Sequence, residues 1–177
     1  MTTHDDPAHA ADRARVSKRL EELGFAHRTV LHPPVMTVDE GRAFKADMPG
    51  GHSKNLFVKD KKSAHYLVVA HCDTKVDLVG VGKALGARGR LSFARADAMI
   101  EILGVEPGSV TPFALMNAPS PALAAVAFDT RLLAFETVWF HPLRNTASTA
   151  VAPEAILAMA QNAGYAPVKI DAAAPLG

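Results

Sequence analysis

The sequence predicts an α/β protein, with one compact domain over residues 1–177 in which a mixed, largely antiparallel sheet is flanked by helices. The length is that of one ordinary domain. Hydrophobic residues make up 49% of the chain and charged residues 21%, which provides enough apolar surface for a full core. Short apolar segments alternate with helical patterns, and the turn signals between them favour hairpins as often as crossovers.

The first elements are a helix, a short strand and a second helix. The first helix is predicted from Pro7 to Leu23, because apolar residues recur at helical spacing and a glycine follows as a cap. A loosely ordered tail over residues 1–12 remains an alternative. An extended segment at Ala26–Leu31 ends at a His-Pro-Pro turn. The capping box Thr37–Glu40 then predicts a helix over Val38–Lys45.

A hairpin and a third helix are predicted next. The apolar segments Asn55–Val58 and His65–Ala70 are separated by the charged run Lys59–Lys62, which is typical of a hairpin connection. The segment Thr74–Asp77 has the spacing of another capping box. It predicts a helix that continues to Leu85 and stops at the glycine that follows.

The second half of the chain continues the alternation of strands and helices. Pro153 suits the first turn of a helix, and glycines follow both predicted helices of this half. We expect, in order, a strand at Leu91–Phe93, a helix at Ala96–Leu103, strands at Ala124–Phe128, Leu133–Phe140 and Thr149–Val151, and a helix at Pro153–Asn162.

Charge and cysteine content exclude several classes of protein. Nineteen Lys and Arg residues against eighteen Asp and Glu residues give a formal net charge of +1, which is too low for a generic duplex-DNA-binding protein. Cys72 is the only cysteine, so no intramolecular disulfide is available and the cytoplasm is the expected compartment. Four prolines interrupt the charge-free stretch Pro107–Phe128, so no membrane-spanning helix is expected there.

Common cofactor and metal motifs are absent from the sequence. The glycines of Gly80–Gly86 have the wrong spacing for a dinucleotide fingerprint, and Ala84 stands where a P-loop needs Ser or Thr. His65 and His71 could face one side of a strand, but no carboxylate cluster accompanies them. We therefore expect neither a metal nor a cofactor.

Three polar segments are candidates for a site. Gly50–Phe57 passes from a flexible glycine pair through Lys54 into a buried strand, so it could bring backbone amides and a cation to an anion. Gly108–Pro112 could present backbone amides to a carbonyl oxygen. His141 ends an apolar strand four residues before Asn145. An ordinary strand start and ordinary turns remain alternative interpretations of these patterns.

Together these segments resemble a known family. The run His52–Lys62, the loop Gly108–Pro112 and the ending His141–Asn145 resemble the YbaK/prolyl-tRNA synthetase-associated family. Within it, the chain is similar to the free-standing ProXp-ala (PrdX) branch, which is related to the inserted editing domain of bacterial prolyl-tRNA synthetase. The similarity extends from about Val16 to Ala166 in the order of the family's motifs.

The resemblance implies trans-editing, the hydrolysis of the ester in mischarged Ala-tRNA(Pro). The implied partners are the acceptor end of the mischarged tRNA and, for its delivery, prolyl-tRNA synthetase or an elongation factor. An aminoacyl ester is already activated, so a positioned water and a stabilised oxyanion can supply much of the acceleration without metal or covalent nucleophile. The substrate's own ribose hydroxyl is expected to assist the water.

The resemblance also implies roles for individual residues. Lys54 is expected to engage the terminal phosphate and adenosine, Asn55 to position the substrate, and His141 to orient it first and act as a base second. The backbone of the loop from Gly108 is expected to bind around the aminoacyl carbonyl or terminal ribose. The further substrate-binding candidates are Met36, Thr37, Phe57, Ser109, Val110, Thr111, Pro112, Met116 and Asn145.

Specificity and tRNA binding are expected to depend on size and charge. A small pocket excludes the proline ring by steric overlap. A smaller amino acid is harder to reject, because the loss of one methylene changes the binding free energy by only about 1–3 kcal/mol. The candidate phosphate contacts of the acceptor stem are Lys45, Lys59, Lys83, Arg88 and Arg90. Two alternatives stay open, namely a sibling deacylase for serine or cysteine and a non-catalytic tRNA-binding or synthetase-binding module.

Overall fold

A mixed eight-stranded sheet forms the centre of the protein in the computed structural model, which describes residues 6–35 and 37–173. The strands are β1 Arg28–Leu31, β2 Gly51–Lys59, β3 His65–His71, β4 Ser92–Phe93, β5 Ala125–Asp129, β6 Val138–Phe140, β7 Ala147–Val151 and β8 Val168–Ile170. Their order across the sheet is β1-β7-β6-β2-β3-β5-β8, and β4 pairs with β2 beside this path.

The pairing confirms the predicted mixed sheet. The pairs β1–β7, β6–β7, β2–β3 and β2–β4 are antiparallel, whereas β2–β6, β3–β5 and β5–β8 are parallel. The predicted hairpin is β2–β3, with register from Ser53 opposite His71 to Lys59 opposite His65. The Asp60 carboxylate closes its turn, because it accepts backbone hydrogen bonds from Lys62 at 2.8 Å and Ala64 at 3.1 Å.

The helices flank this sheet. They are α1 Pro7–Glu22, α2 Val38–Gly41, α3 Leu78–Ala84, α4 Ala96–Ala98, α5 Thr130–Leu133 and α6 Pro153–Asn162. A 3₁₀ helix at Arg42–Asp47 follows α2, a π-helical turn at Met99–Leu103 extends α4, and a further 3₁₀ helix covers Pro112–Met116. The predicted capping box of α2 is present, because the Thr37 hydroxyl accepts from the Glu40 amide at 3.2 Å.

The prediction that α3 opens at Thr74 is wrong. The helix begins at Leu78, and its N-cap is Asp77, whose carboxylate accepts from the Val79 amide at 3.1 Å. The Thr74 hydroxyl instead donates to the buried Asp129 carboxylate at 2.7 Å. A contact between elements distant in sequence therefore replaces the local cap.

One prediction needs correction in the second half of the chain, and one strand there is additional to those expected. The predicted strand Leu133–Phe140 is wrong at its start, where α5 ends at Leu133 and β6 begins only at Val138. The Asp129 carboxylate caps α5 by accepting from the Arg131 amide at 3.2 Å. Strand β8 was not predicted, because a three-residue segment with an exposed lysine at its centre has almost no periodic signal.

The first helix begins at Pro7, within the segment 1–12 for which a loosely ordered tail was the alternative. Asp6 caps α1 by accepting from the Ala8 amide at 2.8 Å, and helix continues from Pro7. The Asp12 carboxylate accepts from Arg144 Nε at 2.7 Å, which joins α1 to the segment after β6. The tail prediction is therefore wrong for residues 7–12, and residues 1–5 lie outside the described part of the chain.

Apolar side chains cover the sheet on both faces. Leu67 and Val69 of β3 join the main core, to which α1 contributes Leu20 and α6 contributes Ile156. The alternate residues of β3 pack into a second cluster on the opposite face, where α3 contributes Val81. Covering on both faces is usual for strands in parallel pairs.

The charge-free stretch Pro107–Phe128 folds as turns, the 3₁₀ helix Pro112–Met116 and most of β5. Within residues 6–35 and 37–173, none of the helices has the length and apolar character needed to cross a bilayer.

Candidate functional site

A cavity of about 330 Å³ lies where β2 separates from its neighbour β6. Strand β2 pairs with β6 only at Gly51 and His52, and with β4 only at Val58 and Lys59. Between these contacts, Ser53–Phe57 has β3 on one side and the cavity on the other. A gap in strand pairing thus exposes the centre of β2 to a ligand.

The cavity brings together residues from distant parts of the sequence. Its walls come from β2, the α2 region, the end of β6, β4 and the loop before the second 3₁₀ helix. The predicted site residues that line it are Thr37, Lys45, Lys54, Asn55, Phe57, Gly108, Val110 and His141.

The Asn55 side chain is positioned through its Nδ2 group, whereas its oxygen has no partner among the described residues. Its Nδ2 donates to the Val110 carbonyl oxygen at 3.1 Å and lies 3.4 Å from Ser53 Oγ. Its Oδ1 is buried and has no hydrogen-bond partner among the described residues. Because buried polar atoms are nearly always paired, an unpartnered acceptor in a cavity wall indicates a ligand that donates.

The backbone of Asn55 also points toward the gap. The Phe57 carbonyl oxygen accepts from Ala94 and therefore faces away from β3, whereas the His52 carbonyl oxygen accepts from Cys72 at the end of β3. Backbone groups alternate in direction along an antiparallel strand. The N–H and C=O of Asn55, two residues before Phe57, therefore face the open side of β2.

His141 is held in one tautomer at the cavity wall. Its Nδ1 lies 2.9 Å from the Ala147 carbonyl oxygen, and since a carbonyl only accepts, Nδ1 carries the proton. Burial lowers the pKa of His141 below the ordinary value of 6.5; the bond to Ala147 opposes this shift and nearby His32 adds to it. The neutral ring therefore has Nε2 as an acceptor.

Two further histidines line the cavity, and the sequence gives neither of them an individual role, although His52 lies in the candidate segment Gly50–Phe57. His32 is buried, lies 2.8 Å from Ser148 Oγ through Nε2, and has its ring centre 6.0 Å from that of His141. His52 donates through Nε2 to the Met48 carbonyl oxygen at 2.7 Å, and burial is the main reason that its pKa is lowered. A histidine directly before two prolines or after two glycines has no pattern that distinguishes it from a turn residue.

Lys54 is a half-buried cation in the cavity wall. Within residues 6–35 and 37–173, no ion pair involves its ammonium group. Lys45, across the cavity, donates from Nζ to Cys72 Sγ at 3.4 Å. The cavity therefore combines positive charge with the Asn55 oxygen, an acceptor that has no partner among the described residues, and this combination suits a ligand bearing both an anionic and a donor group.

Other predicted substrate-binding residues lie outside the cavity wall. Thr111 is buried, and its hydroxyl caps the 3₁₀ helix by accepting from the Phe113 amide at 3.3 Å. Met116 is half-buried and packs against the main core, and Asn145 donates to the Val35 carbonyl oxygen at 3.0 Å. Ser109 and Pro112 are buried beside the lining residues Gly108 and Val110. Met36 lies outside the described residues.

The predicted tRNA-binding residues are dispersed. Lys83 and Arg90 line a second concavity of about 280 Å³, which is separate from the cavity at β2. Lys59 lies opposite Ser92 in the β2–β4 pair, and the Arg88 amide donates to the Asp60 carboxylate at 3.0 Å. Lys45 lines the main cavity.

Among the described residues, one group brings three potential metal ligands together: His71, Cys72 and Asp73, whose ligand atoms lie within 4.8 Å of one another. Lys45 donates to the Cys72 thiol, and Arg42 lies 3.5 Å from the Asp73 carboxylate. These cations oppose the binding of another positive charge. His65, at the far end of β3, stacks on Phe57 and is not part of this group.

Comparison with known sequences relates the chain to editing proteins. It is 38% identical over 168 residues to "Prolyl-tRNA synthetase associated domain-containing protein 1" of Bos taurus, covering 93% of this chain and 97% of the bovine protein. It is 34% identical over 140 residues to "Prolyl-tRNA editing protein ProX" of Acetoanaerobium sticklandii, covering 78% of this chain and 84% of that protein.

Comparison with solved structures relates the fold to the same group. A proposed trans-editing enzyme for prolyl-tRNA synthetase matches with a TM-score of 0.67 and 22% identity, covering 89% of this chain and 95% of that structure. The family model described as "Aminoacyl-tRNA editing domain" matches residues 32–159, which include the cavity on β2 and His141. These matches confirm the resemblance to prolyl-tRNA synthetase-associated editing proteins, and the chain belongs to the aminoacyl-tRNA editing domain family.

Proposed function

We propose that the protein is a trans-editing deacylase that hydrolyses the ester of mischarged Ala-tRNA(Pro). The observation that carries this proposal is the cavity on β2, where the Lys54 ammonium, the Asn55 Oδ1 and the Nε2 acceptor of His141 line one space, the first two without an ion-pair or hydrogen-bond partner in the described part of the chain. The end of an aminoacyl-tRNA has matching groups, namely a phosphate, an α-ammonium and a ribose hydroxyl. The name of the related "Prolyl-tRNA editing protein ProX" supports the editing part of this proposal.

Binding of the substrate follows from charge and hydrogen bonding. Lys54 would bind the terminal phosphate, because no carboxylate among the described residues competes for its ammonium group. Asn55 Oδ1 would accept from the α-ammonium group of the aminoacyl ester. The bond from Asn55 Nδ2 to Val110 holds this acceptor in place before the substrate arrives, which reduces the ordering required during binding.

Hydrolysis requires a positioned water and a stabilised oxyanion. The neutral His141 would accept through Nε2 from the ribose hydroxyl, which in turn orients the attacking water. The backbone amides of the loop that begins at Gly108 would stabilise the negative charge that develops on the carbonyl oxygen. Water then adds to the ester carbon, the ribose oxygen leaves with a proton, and free alanine and tRNA result.

The aminoacyl pocket would select by size. Apolar side chains from the α2 region and β2, including Val38, Phe44, Met48 and Phe57, form part of the cavity wall. Such a wall accommodates a methyl group and excludes the larger proline ring by steric overlap. It discriminates more weakly against serine, whose extra hydroxyl adds little volume. A sibling deacylase for serine or cysteine is therefore the second candidate.

The test is deacylation of Ala-tRNA(Pro), Pro-tRNA(Pro), Ser-tRNA and Cys-tRNA by the wild type and Lys54→Ala. Lys62→Ala is the matched control, because Lys62 is exposed in the β2–β3 turn away from the cavity. We expect rapid loss of alanine alone, abolished by Lys54→Ala and unchanged by Lys62→Ala. Preference for serine or cysteine would transfer the protein to the sibling class. Binding of tRNA without hydrolysis would leave a non-catalytic module.

A further inference from the structure

Phe93 is an exposed aromatic side chain at the edge of the cavity. It is 64% exposed, the highest value among the exposed large apolar side chains of the described residues, and it lines the cavity together with Ala94. It lies on the two-residue strand β4 directly after the buried Leu91 and the exposed Ser92. The fold therefore presents a phenyl ring to solvent beside the site, where its burial would contribute to binding.

The register places Phe93 on the same face of the sheet as Lys54. Phe93 lies opposite Val58 in the antiparallel β2–β4 pair, and residues directly opposite share a face. Side chains alternate along β2, so Val58, Leu56 and Lys54 also share that face. Four residues of strand separate Lys54 from the position of Phe93, which is about 13 Å. A ligand anchored at Lys54 therefore extends past Leu56 toward the ring.

The segment that leads to Phe93 is rich in basic residues. Residues 83–94 contain Lys83, Arg88 and Arg90 and no acidic residue, and the next cation, Arg95, pairs with the Asp97 carboxylate at 3.5 Å. Lys59 adds a further cation across the strand pair from Ser92. In this region the Asp60 carboxylate is occupied by its own turn and by the Arg88 amide. An exposed aromatic ring among cations matches a partner with both flat rings and phosphates.

We propose that Phe93 is a stacking platform for a nucleobase in the single-stranded 3′ end of the tRNA. This inference rests on the proposed function. It adds Phe93, as a positioning residue, to the charged and polar residues of the site. Every nucleobase has a flat π face, so an aromatic ring binds it independently of sequence, while neighbouring cations contact the phosphates. Stacking at Phe93 would hold the strand so that the terminal ester enters the cavity beside Lys54.

The first test measures binding of an uncharged oligoribonucleotide, fluorescently labelled at its 5′ end and ending in the four nucleotides ACCA, without any deacylation. Replacing an aromatic side chain that stacks on a base by alanine weakens binding by about 1–3 kcal/mol. Phe93→Ala is therefore expected to raise Kd at least about fivefold. Phe93→Trp is expected to retain or improve the wild-type affinity. Ile100→Ala is the matched control, since Ile100 is an exposed apolar residue on the π-helical turn that lines neither the main cavity nor the second concavity.

The second test removes the base instead of the ring. Oligoribonucleotides with an abasic terminal or penultimate position are compared for wild type and Phe93→Ala. If Phe93 stacks on one of these bases, the difference between the two proteins disappears with that abasic strand. Equal affinities of wild type and Phe93→Ala for the intact strand, or no binding by the wild type, would overturn the inference. Ring-dependent binding by a protein that hydrolyses none of the aminoacyl-tRNAs would reject the proposed function alone.

Discussion

The side-chain amide of Asn55 donates to the carbonyl oxygen of Val110 at 3.1 Å and so joins the centre of β2 to the loop that precedes the second 3₁₀ helix. These residues are far apart in the sequence and belong to different segments of the family resemblance. The bond uses the nitrogen of the amide, and the buried oxygen has no partner within residues 6–35 and 37–173. One residue thus holds the two sides of the site together and offers an acceptor to the substrate.

Replacing Asn55 should separate activity from stability. Asn55→Ala is expected to reduce kcat/KM for deacylation at least about tenfold, which corresponds to loss of about one hydrogen bond to a charged donor. The free energy of unfolding should change by less than about 1.5 kcal/mol, because the bond to Val110 and the long contact with Ser53 are lost while an unsatisfied oxygen is removed with them. Deacylation rates and urea denaturation measure the two effects. Unchanged kcat/KM would contradict the role given to this side chain.

The pH profile of deacylation should report the neutral form of His141. Burial lowers the pKa of this histidine below 6.5, so activity is expected to remain constant from neutral pH down to about 6.5 and to fall only at lower pH. In His141→Gln the acidic limb should disappear, because the amide oxygen accepts at every pH. The profile is measured as kcat/KM against pH for both proteins. An acidic limb with its midpoint above 7 in the wild type would argue against this assignment.

The stability of the fold should decrease in mildly acidic solution. Burial is the largest cause of the lowered pKa values of His52, His65, His71 and His141. Below about pH 6.5 the unfolded chain therefore binds more protons at these positions than the folded protein. The free energy of unfolding is expected to fall as the pH decreases from 7.5 to 5.5.

Urea midpoints at several pH values measure this decrease. His52→Gln removes one of the four titrating groups and should make the decrease smaller, which serves as the control. A stability that is constant or that rises between pH 7.5 and 5.5 would be inconsistent with histidines that are held neutral by the fold.

The contact between β2 and the segment before β6 depends on a glycine. A Cβ at Gly51 would lie 2.7 Å from the ring of Phe135, which is closer than packed atoms approach. Gly51→Ala is therefore expected to lower the free energy of unfolding by about 1–3 kcal/mol, the usual cost of overpacking. Gly41→Ala is the control, because nothing lies within 4 Å of its added Cβ and alanine favours helix. A Gly51→Ala variant as stable as the wild type would contradict this close packing.

Elements that depend on neighbouring residues could be predicted from the sequence. The β2–β3 hairpin follows from two apolar segments around a charged turn, and the capping box at Thr37 is complete within four residues. Thr74 shows the limit of this reasoning. Its spacing favours a cap, but its hydroxyl bonds to Asp129, and that contact exists only after β3 and β5 have paired.

The candidate site likewise has residues that the sequence predicts and residues that only the tertiary structure identifies. Lys54, Asn55, Gly108 and His141 could be selected from the family resemblance, and the structure places all four around one cavity. Met116, selected as a substrate-binding residue, packs against the core instead. Phe93 has no distinguishing pattern in the sequence, because an exposed aromatic residue and a buried one occupy the same kind of apolar segment.

The sequence by itself determined the class of fold, the main helices, the central hairpin and the family, since these depend on composition, short-range periodicity and contiguous motifs. Only the tertiary structure decided that β2 leaves β6 after His52 and thereby opens the cavity. It also decided which polar atoms remain unpartnered and that Phe93 faces solvent. The physical reason is that strand pairing, burial and hydrogen-bond satisfaction are set by contacts between residues far apart in the chain, which local patterns do not encode.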